Sequence, residues 1–392
     1  MNTLRLKTIL VVLLTVISAA TLSAADTVTV GAARPDLYMP LLKGKKVALY
    51  SNHTGMVGDR HTLDILLDAG VDVRYIFSPE HGFRGNADAG EHINSSVDPL
   101  TGTPIRSLFG AGKRRAMAAV DSVDVIVTDI QDVGLRFYTY YVTMIELMNR
   151  ATDRDIDFVV LDRPNPTAPM GVDGPILDMR HASGVGALPI PILHGMTLGE
   201  LATMASAEGW LKEGRTSRLH VVPCDSYTHA TRYELPIAPS PNLPNIHAIY
   251  LYPSTCFFEA TPLSLGRGTD FPFEVYGHPD MKTSGTFTFT PQSRPGAKKP
   301  PLMGRRCRGI DLREIPADTL IARGVDFTYI IDAYNRMGRP AKFFTTFFEL
   351  LAGNDTIRRL ITEGADAATV KASWQKEAAD FAVRSRQHYI YP

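Results

Sequence analysis

The chain is poor in cysteine: Cys224, Cys256 and Cys307 are the only three in 392 residues, and no two of them form a CxxC pair. At most one disulfide can form, a zinc site built from cysteines is excluded, and the fold must rest on its core rather than on cross-links. Neither sign of charge is in excess, since Lys+Arg and Asp+Glu both number 41. Nothing global therefore favours nucleic acid or an anionic membrane, and any anion must be recognised by a few placed residues. Several standard signatures are also missing. Gly110-Ala111-Gly112-Lys113 has Ser107 where a phosphate loop needs its first glycine, and Arg114 where magnesium needs Ser or Thr. No GxGxxG follows the first apolar run, so no nicotinamide cofactor is expected. The absence of GxSxG and HExxH removes the common serine-hydrolase and metalloprotease readings. There are no internal repeats or low-complexity tracts.

The one long apolar run, Ile9–Ala20, is short for a membrane span. Arg5 and Lys7 precede it and Ser23-Ala24-Ala25 follow, which reads as a secretory signal over residues 1–25 cut before Asp26. The expectation is a periplasmic or secreted protein with no stable membrane insertion after cleavage; a retained N-terminal anchor is the alternative.

From Lys46 to about Pro223, apolar runs at Val47–Tyr50, Val73–Phe77, Val123–Val127, Phe158–Leu161 and Leu219–Val222 read as strands. Helical patterns at Thr62–Ala69, Lys113–Val120, Tyr141–Ala151 and Leu198–Leu211 separate them, the last opened by a Thr197/Glu200 capping box. Such alternation implies an α/β domain with a parallel sheet covered on both faces. The prolines at 236, 239, 241, 244 and 253 then predict an extended passage that excludes regular helix. Beyond it come strand-like Gly285–Thr290, a basic Pro/Gly loop at Arg294–Arg308, and helices at Thr328–Met337, Phe343–Ala352 and Ala372–Arg386. The expected division is 26–236 for the first domain and 237–392 for the second.

Polar clusters stand where apolar runs stop. Ser78-Pro79-Glu80-His81-Gly82 follows Val73–Phe77, Asp129-Ile130-Gln131-Asp132 follows Val123–Val127, Asp162-Arg163-Pro164-Asn165 follows Phe158–Leu161, and His194-Gly195 follows Ile190–Leu193. Ligands of open α/β sheets bind outside the carboxyl ends of parallel strands, so the four clusters suggest one site. Glu80 sits between Phe77 and Phe83, and an apolar wall would raise its pKa and let it donate a proton to a leaving oxygen. Helix capping or a salt bridge is the bland role for Glu80, and a structural hydrogen bond the bland role for His81. Asp129 and Asp132, with Arg136, Tyr138 and Tyr140 behind them, mix carboxylates with aromatics in a way that suits a sugar. Asp162 and Arg163 read most simply as a pair bracing their loop, and His194 as a turn residue or a ligand contact. Further on, Asn242 lies between prolines, and Glu259 precedes Gly266-Arg267-Gly268, where an arginine flanked by glycines can hold an anion or pair with Glu259.

Together these segments resemble the NamZ family of bacterial exo-β-N-acetylmuramidases. The resemblance rests on Pro79–Gly85, Asp129–Gly134 with Arg136–Tyr140, Leu161–Pro166, His194–Thr197, Ser240–Pro244, and Gly266–Thr269 with Pro272–Glu274, so it spans nearly the whole mature chain. It implies a Rossmann-like parallel-sheet domain, a smaller α+β C-terminal domain, and an active cleft between them. It also implies release of N-acetylmuramic acid from the non-reducing end of peptidoglycan fragments of the MurNAc-GlcNAc type, with the proposed catalytic glutamate at Glu80 and no cofactor or metal. Ala260, Leu265 and Asp270 stand where the family pattern leads one to expect Gly, Glu and Thr. These departures lie beside Arg267 and bear on specificity more than on reaction class.

For the second catalytic group, Asp129, Asp132 and Glu259 are candidates. A separation from Glu80 of about 5–5.5 Å would mean retention, and roughly 6.5–9.5 Å inversion. Participation by the substrate acetamide, oriented by an Asp or Tyr138, is a third route. Arg267 or Arg136 could hold the lactyl carboxylate, with Asp162, Arg163, Asn165, His194 and Asn242 as further contacts. Two other classes fit the same polymer: a metal-dependent amidase or deacetylase using His53, His81, His194 and Asp129, and a non-catalytic muropeptide-binding protein.

Overall fold

Strand alternation sets the frame. A computed structural model describes residues 27–79, 83–84, 96–108 and 110–392. Its main sheet has seven strands: β1 (Lys46–Ser51), β2 (Asp72–Ser78), β3 (Ser96–Val97), β4 (Pro104–Ser107), β5 (Val125–Asp129), β6 (Asp157–Leu161) and β7 (Leu219–Val222). Their order is β3-β4-β2-β1-β5-β6-β7, and every pairing is parallel except that of the edge strand β3 with β4. The five apolar runs read from sequence are all strands, while β3 and β4 are too short and mixed to show as runs.

Alternate residues of each strand enter different cores. Val47 and Leu49 of β1, with Val125 and Val127 of β5, pack on one face with Tyr38, Leu63 and Leu66. Ala48, Tyr50, Ile126, Phe158 and Val160 pack on the other, against the helices Tyr140–Thr152 and Leu198–Ala207. This two-sided burial explains why the strands read as continuous apolar runs rather than as alternating ones. The Thr197/Glu200 capping box is present as expected.

The second face is continuous with the core of the C-terminal region, where Leu251, Phe257, Phe327 and Trp374 join the same cluster. That region carries a smaller antiparallel sheet, β8 (Val275–His278), β9 (Thr288–Phe289) and β10 (Cys307–Asp311), in the order β8-β10-β9. Helix Thr328–Arg336 falls where the periodicity places it, while Phe347–Ala352 starts later and Ala367–Ser385 earlier than expected.

Two expectations fail. The proline-rich passage does contain a regular helix, Ile246–Thr255, with Asn245 capping it by accepting from the Ala248 amide. Pro253 sits in its final turns, and burial of Ala248, Ile249 and Leu251 offsets the lost backbone bond. Ile190–Leu193 is not a sheet strand either. Leu193 makes only isolated bridges to Leu135 and Asp173, so His194 does not belong to the carboxyl edge of the sheet.

Candidate active site

The chain passes from β1 to β2 on one side and later returns to β5 on the other, so the strand order reverses at β1. A crevice at the carboxyl ends of β1 and β5 is the topological consequence, and such switch points are where open α/β sheets bind ligands. Ser51 and Asp129 are paired at those ends. The loops that follow are cross-braced. Asn52 Oδ1 accepts from the amide and hydroxyl of Thr54, and Thr54 Oγ1 accepts from the Gln131 amide at 2.9 Å. Asn52 Nδ2 also donates to the Tyr140 hydroxyl at 3.0 Å.

Beside this brace lies a cavity of about 310 Å³, lined by Phe137, Tyr138 and Tyr140 from the segment after β5 and by Ser240, Asn242 and Leu243 from the proline-rich passage. Tyr252, Glu259, Arg267 and Phe273 complete it from the C-terminal region, with Val185 and Phe347. Both halves of the chain therefore build its wall. Two cavities of about 730 Å³ are larger, but their lining includes Lys45 and Asp72 in one, and Ile156 and Arg218 in the other. Those residues stand at the amino ends of β1, β2, β6 and β7, away from the switch point.

The smaller cavity has an aromatic wall and one ion pair. Tyr138 is in edge contact with Tyr140, with ring centroids 4.8 Å apart, and Tyr252 with Phe273 at 4.7 Å. Tyr138 donates its hydroxyl to the Pro239 carbonyl at 2.8 Å, which fixes the ring. Arg267 Nη2 lies 2.6 Å from Glu259 Oε1, and its guanidinium sits 5.2 Å above the Phe273 ring. Burial opposes the charge on Arg267, but the Glu259 carboxylate outweighs it and holds the pKa above the usual value. Phe273 adopts a φ of 65°, a left-handed conformation rare for a bulky residue, in the turn whose amide bonds back to Leu265. Asn242 donates to the Gly296 carbonyl at 2.8 Å. Four of the expected substrate residues, Tyr138, Asn242, Glu259 and Arg267, are thus brought together.

Others are not. Arg136 is completely buried away from the cavity lining and donates to the carbonyls of Pro175, Ile190 and Leu351 at 2.6, 3.1 and 2.8 Å. Its position is that of a strut between the two halves, and burial lowers its pKa to about 10. Asp162 is not paired with Arg163. Its carboxylate accepts from Thr197 Oγ1, the Gly199 amide and the Tyr391 hydroxyl, and burial lifts its pKa to about 6 against those bonds. Arg163 instead forms a buried bidentate pair with Asp129, from Nε at 2.6 Å and Nη2 at 3.0 Å. Thr62 Oγ1 donates to the same carboxylate, so both Asp129 oxygens are engaged. Asn165 caps its own loop by accepting from Thr167, and donates to Met196. His194 is buried, with Nδ1 accepting from the Met196 amide, and burial lowers its pKa to about 3.

Asp132 differs from its neighbour. Oδ1 accepts from the Gly134 amide at 2.7 Å, while Oδ2 is buried with no hydrogen-bond partner among the described residues. Burial, weakly countered by the Gly134 and Val133 amides, raises its pKa to about 7. It is close enough to Tyr50, Tyr138 and Tyr141 to act on their hydroxyls electrostatically. Glu80 and His81 lie outside the described residues, as does the segment read as a signal peptide; Pro79, buried at the carboxyl end of β2, is the last described residue before them. Ser240 belongs to a segment that the sequence singled out, whereas Tyr252 was missed because the proline-rich passage around it read as extended chain. Recognising the Asn245 cap would have exposed Tyr252 as part of a helix.

Two family models match consecutive parts of the chain: the N-terminal part of exo-β-N-acetylmuramidase NamZ over residues 47–247, and its C-terminal part over residues 250–391. The matches adjoin within the helix Ile246–Thr255. Over 374 residues the chain is 36% identical to the peptidoglycan β-N-acetylmuramidase NamZ of Bacillus subtilis (strain 168), covering 91% of this chain and 89% of that protein. Among solved structures, it is similar to a DUF1343 family protein of Bacteroides fragilis, with a TM-score of 0.86 and 49% identity, covering 93% of this chain and 99% of the other. A second DUF1343 protein of the same organism matches with a TM-score of 0.76 and 25% identity over the same shares.

Proposed function

The chain belongs to the NamZ family, and we propose on that basis that it is an exo-acting glycosidase that releases N-acetylmuramic acid from the non-reducing end of peptidoglycan fragments of the MurNAc-GlcNAc type. The observation that carries the reading is the Glu259–Arg267 pair in a cavity walled by Tyr138, Tyr252 and Phe273. Pyranose faces stack on such rings, and an arginine already facing a carboxylate can exchange it for the lactyl carboxylate that distinguishes muramic acid from glucosamine. A cavity of about 310 Å³ is at the small end for ligand sites, which suits one terminal sugar rather than a threaded polymer.

Glu80 is the proposed general acid, on sequence grounds: it follows the buried Pro79 at the carboxyl end of β2, next to the switch point. Of the three candidates for the second group, Asp129 is saturated by Arg163 and Thr62, and Glu259 is bound to Arg267. Asp132 does not line the cavity, but it carries a buried oxygen with no hydrogen-bond partner among the described residues, and a pKa near 7 would let it take up or release a proton at neutral pH. As general base it would take the proton of the attacking water; beside the substrate acetamide it would hold the amide N–H, and the water's proton would go to Glu80 once that group has protonated the leaving oxygen. The sequence features of residues 1–25 support export, placing the enzyme beside its polymer.

The ligand set of the amidase alternative gains no support from Asp129, whose oxygens are taken, and among the described residues no three His, Cys, Asp or Glu side chains gather into a metal-binding group. The deciding experiment incubates the mature protein with a chromogenic β-N-acetylmuramide, the matching β-N-acetylglucosaminide, and a chelator control. Cleavage of the muramide alone, insensitive to chelator, is the expected result. Cleavage of neither glycoside would overturn the reading.

A further inference from the structure

The loop Arg294–Arg308 contains six basic residues and no acidic one, in a chain whose formal charge sums to zero. Nothing in the proposed hydrolysis of a terminal sugar uses it. Its place is set by the cavity itself. Asn242, a cavity residue, donates to the Gly296 carbonyl, and Gly296 packs so closely on Pro241 that a Cβ there would stand 2.4 Å from the proline ring. Gly268, next to the cavity residue Arg267, packs as tightly on Pro300, and its carbonyl accepts from the Gln292 amide at 2.9 Å. The loop is thereby clamped along one rim of the cavity by both sides of the lining.

Its charges are exposed, and several of them form no ion pair among the described residues. Arg294 is paired with Asp270, and Arg306 leans on the Thr288 hydroxyl. Lys299, Arg305 and Arg308 are exposed and form no ion pair with any described residue. Cations fixed on a rigid, proline-clamped loop beside a cleft concentrate anions there, and the effect is strongest at low ionic strength.

We propose that the exposed face of Arg294–Arg308 binds the anionic remainder of the glycan, the carboxylates of muramoyl units beyond the scissile bond, so that the protein prefers fragments longer than a disaccharide. The proposal rests on the exo-muramidase reading. A terminal muramoyl unit in the cavity leaves the rest of the chain to run out over a rim, and each further muramoyl unit carries a carboxylate, on its lactyl group or on an attached peptide. A basic rim is complementary to that periodic charge, whereas it would give nothing to a neutral leaving group.

The test compares MurNAc-GlcNAc with the tetrasaccharide of two such repeats, and with the same tetrasaccharide amidated only at its internal muramoyl carboxylate, the terminal one being left for Arg267. Two readouts are taken on each: kcat/KM, and direct binding by calorimetry at low and high salt. The expected result is a ratio of kcat/KM, tetrasaccharide over disaccharide, that falls on the order of tenfold in Lys299→Glu/Arg305→Glu, on amidation, and at high salt. An unchanged ratio in the double variant overturns the proposal while leaving the hydrolase reading intact. Binding of the tetrasaccharide that depends on Lys299, Arg305 and salt, without turnover of any fragment, would uphold the basic rim and overturn the hydrolase reading instead. Lys299→Gln/Arg305→Gln guards against a folding artefact, and should give an intermediate ratio.

Discussion

Arg163 and Asp129 face each other across the carboxyl ends of β6 and β5, joined by two hydrogen bonds of 2.6 and 3.0 Å with almost no exposure of either side chain. The pair ties together the two loops that lead into Asp132 and Asn165, and Arg163 Nη2 reaches further to the Met56 carbonyl. Removing one partner strands the other charge without water. Asp129→Asn should therefore cost about 3–5 kcal/mol of stability, as expected for breaking a buried pair. Denaturant titration checks it. A variant of wild-type stability with lost turnover would instead make Asp129 a chemical group.

Arg136 gives the complementary test. Its guanidinium satisfies three carbonyls from both halves of the chain, and Gly353, at φ 80°, packs where a Cβ would come within 2.7 Å of Nη2. Arg136→Met should lose roughly 2–5 kcal/mol through stranded carbonyls, and Gly353→Ala should also destabilise. The surviving folded fraction should keep the wild-type KM. A raised KM at unchanged stability would return Arg136 to the substrate.

Arg267 should behave in the opposite way. Arg267→Ala removes the cation and leaves Glu259 to repel a carboxylate, so kcat/KM on a muramide should fall on the order of 10²-fold, with little change on the same muramide amidated at its lactyl carboxylate. Arg267→Lys should recover part of the loss, since a point charge replaces a fork. Equal losses on both glycosides would remove the lactyl carboxylate from the argument.

Asp132 and His194 act on stability in opposite directions over much the same acid range. The Asp132 pKa rises to about 7 on folding, so its contribution is full below the ordinary carboxylate pKa and fades as pH climbs through 7. The His194 pKa falls to about 3, so the unfolded chain takes up a proton that the folded chain refuses, and stability declines as pH drops below about 6.5. Asp132→Asn should remove a fall in Tm as pH rises from about 4 to about 7, and His194→Gln should remove a rise in Tm over about pH 3 to 6.5. In kinetics, only Asp132→Asn should also remove a limb of the rate profile near pH 7.

How far the sequence reached depended on what each signal measures. Apolar runs report burial on both sheet faces, and so β1, β2, β5, β6 and β7 were legible, as was the capping box at Thr197. Proline count reports lost backbone donors but not where in a helix they are lost, and this hid the helix carrying Tyr252. Adjacency misled at Asp162 and Arg163: successive residues at a strand end point opposite ways, so one braces Thr197 and Tyr391 while the other crosses to Asp129. Glu259 and Arg267, eight residues apart on one turn-rich segment, were close enough in sequence for their pairing to stand as the alternative to anion binding, and the pair is what forms.

The contact between Tyr391 and Asp162 has a bearing on how the chain acquires its fold. Its hydroxyl donates to Asp162 and accepts from the Cys224 amide, while the neighbouring Tyr389 stacks on His229. The rim of the parallel sheet is thus finished by residues as many as 229 positions downstream. Closing so long a loop comes late, and the sheet domain cannot mature as an independent unit while the remainder is still being made. Until then the Cys224 thiol, buried in the finished molecule, should be open to alkylation, which makes its protection a clock for the final step of folding.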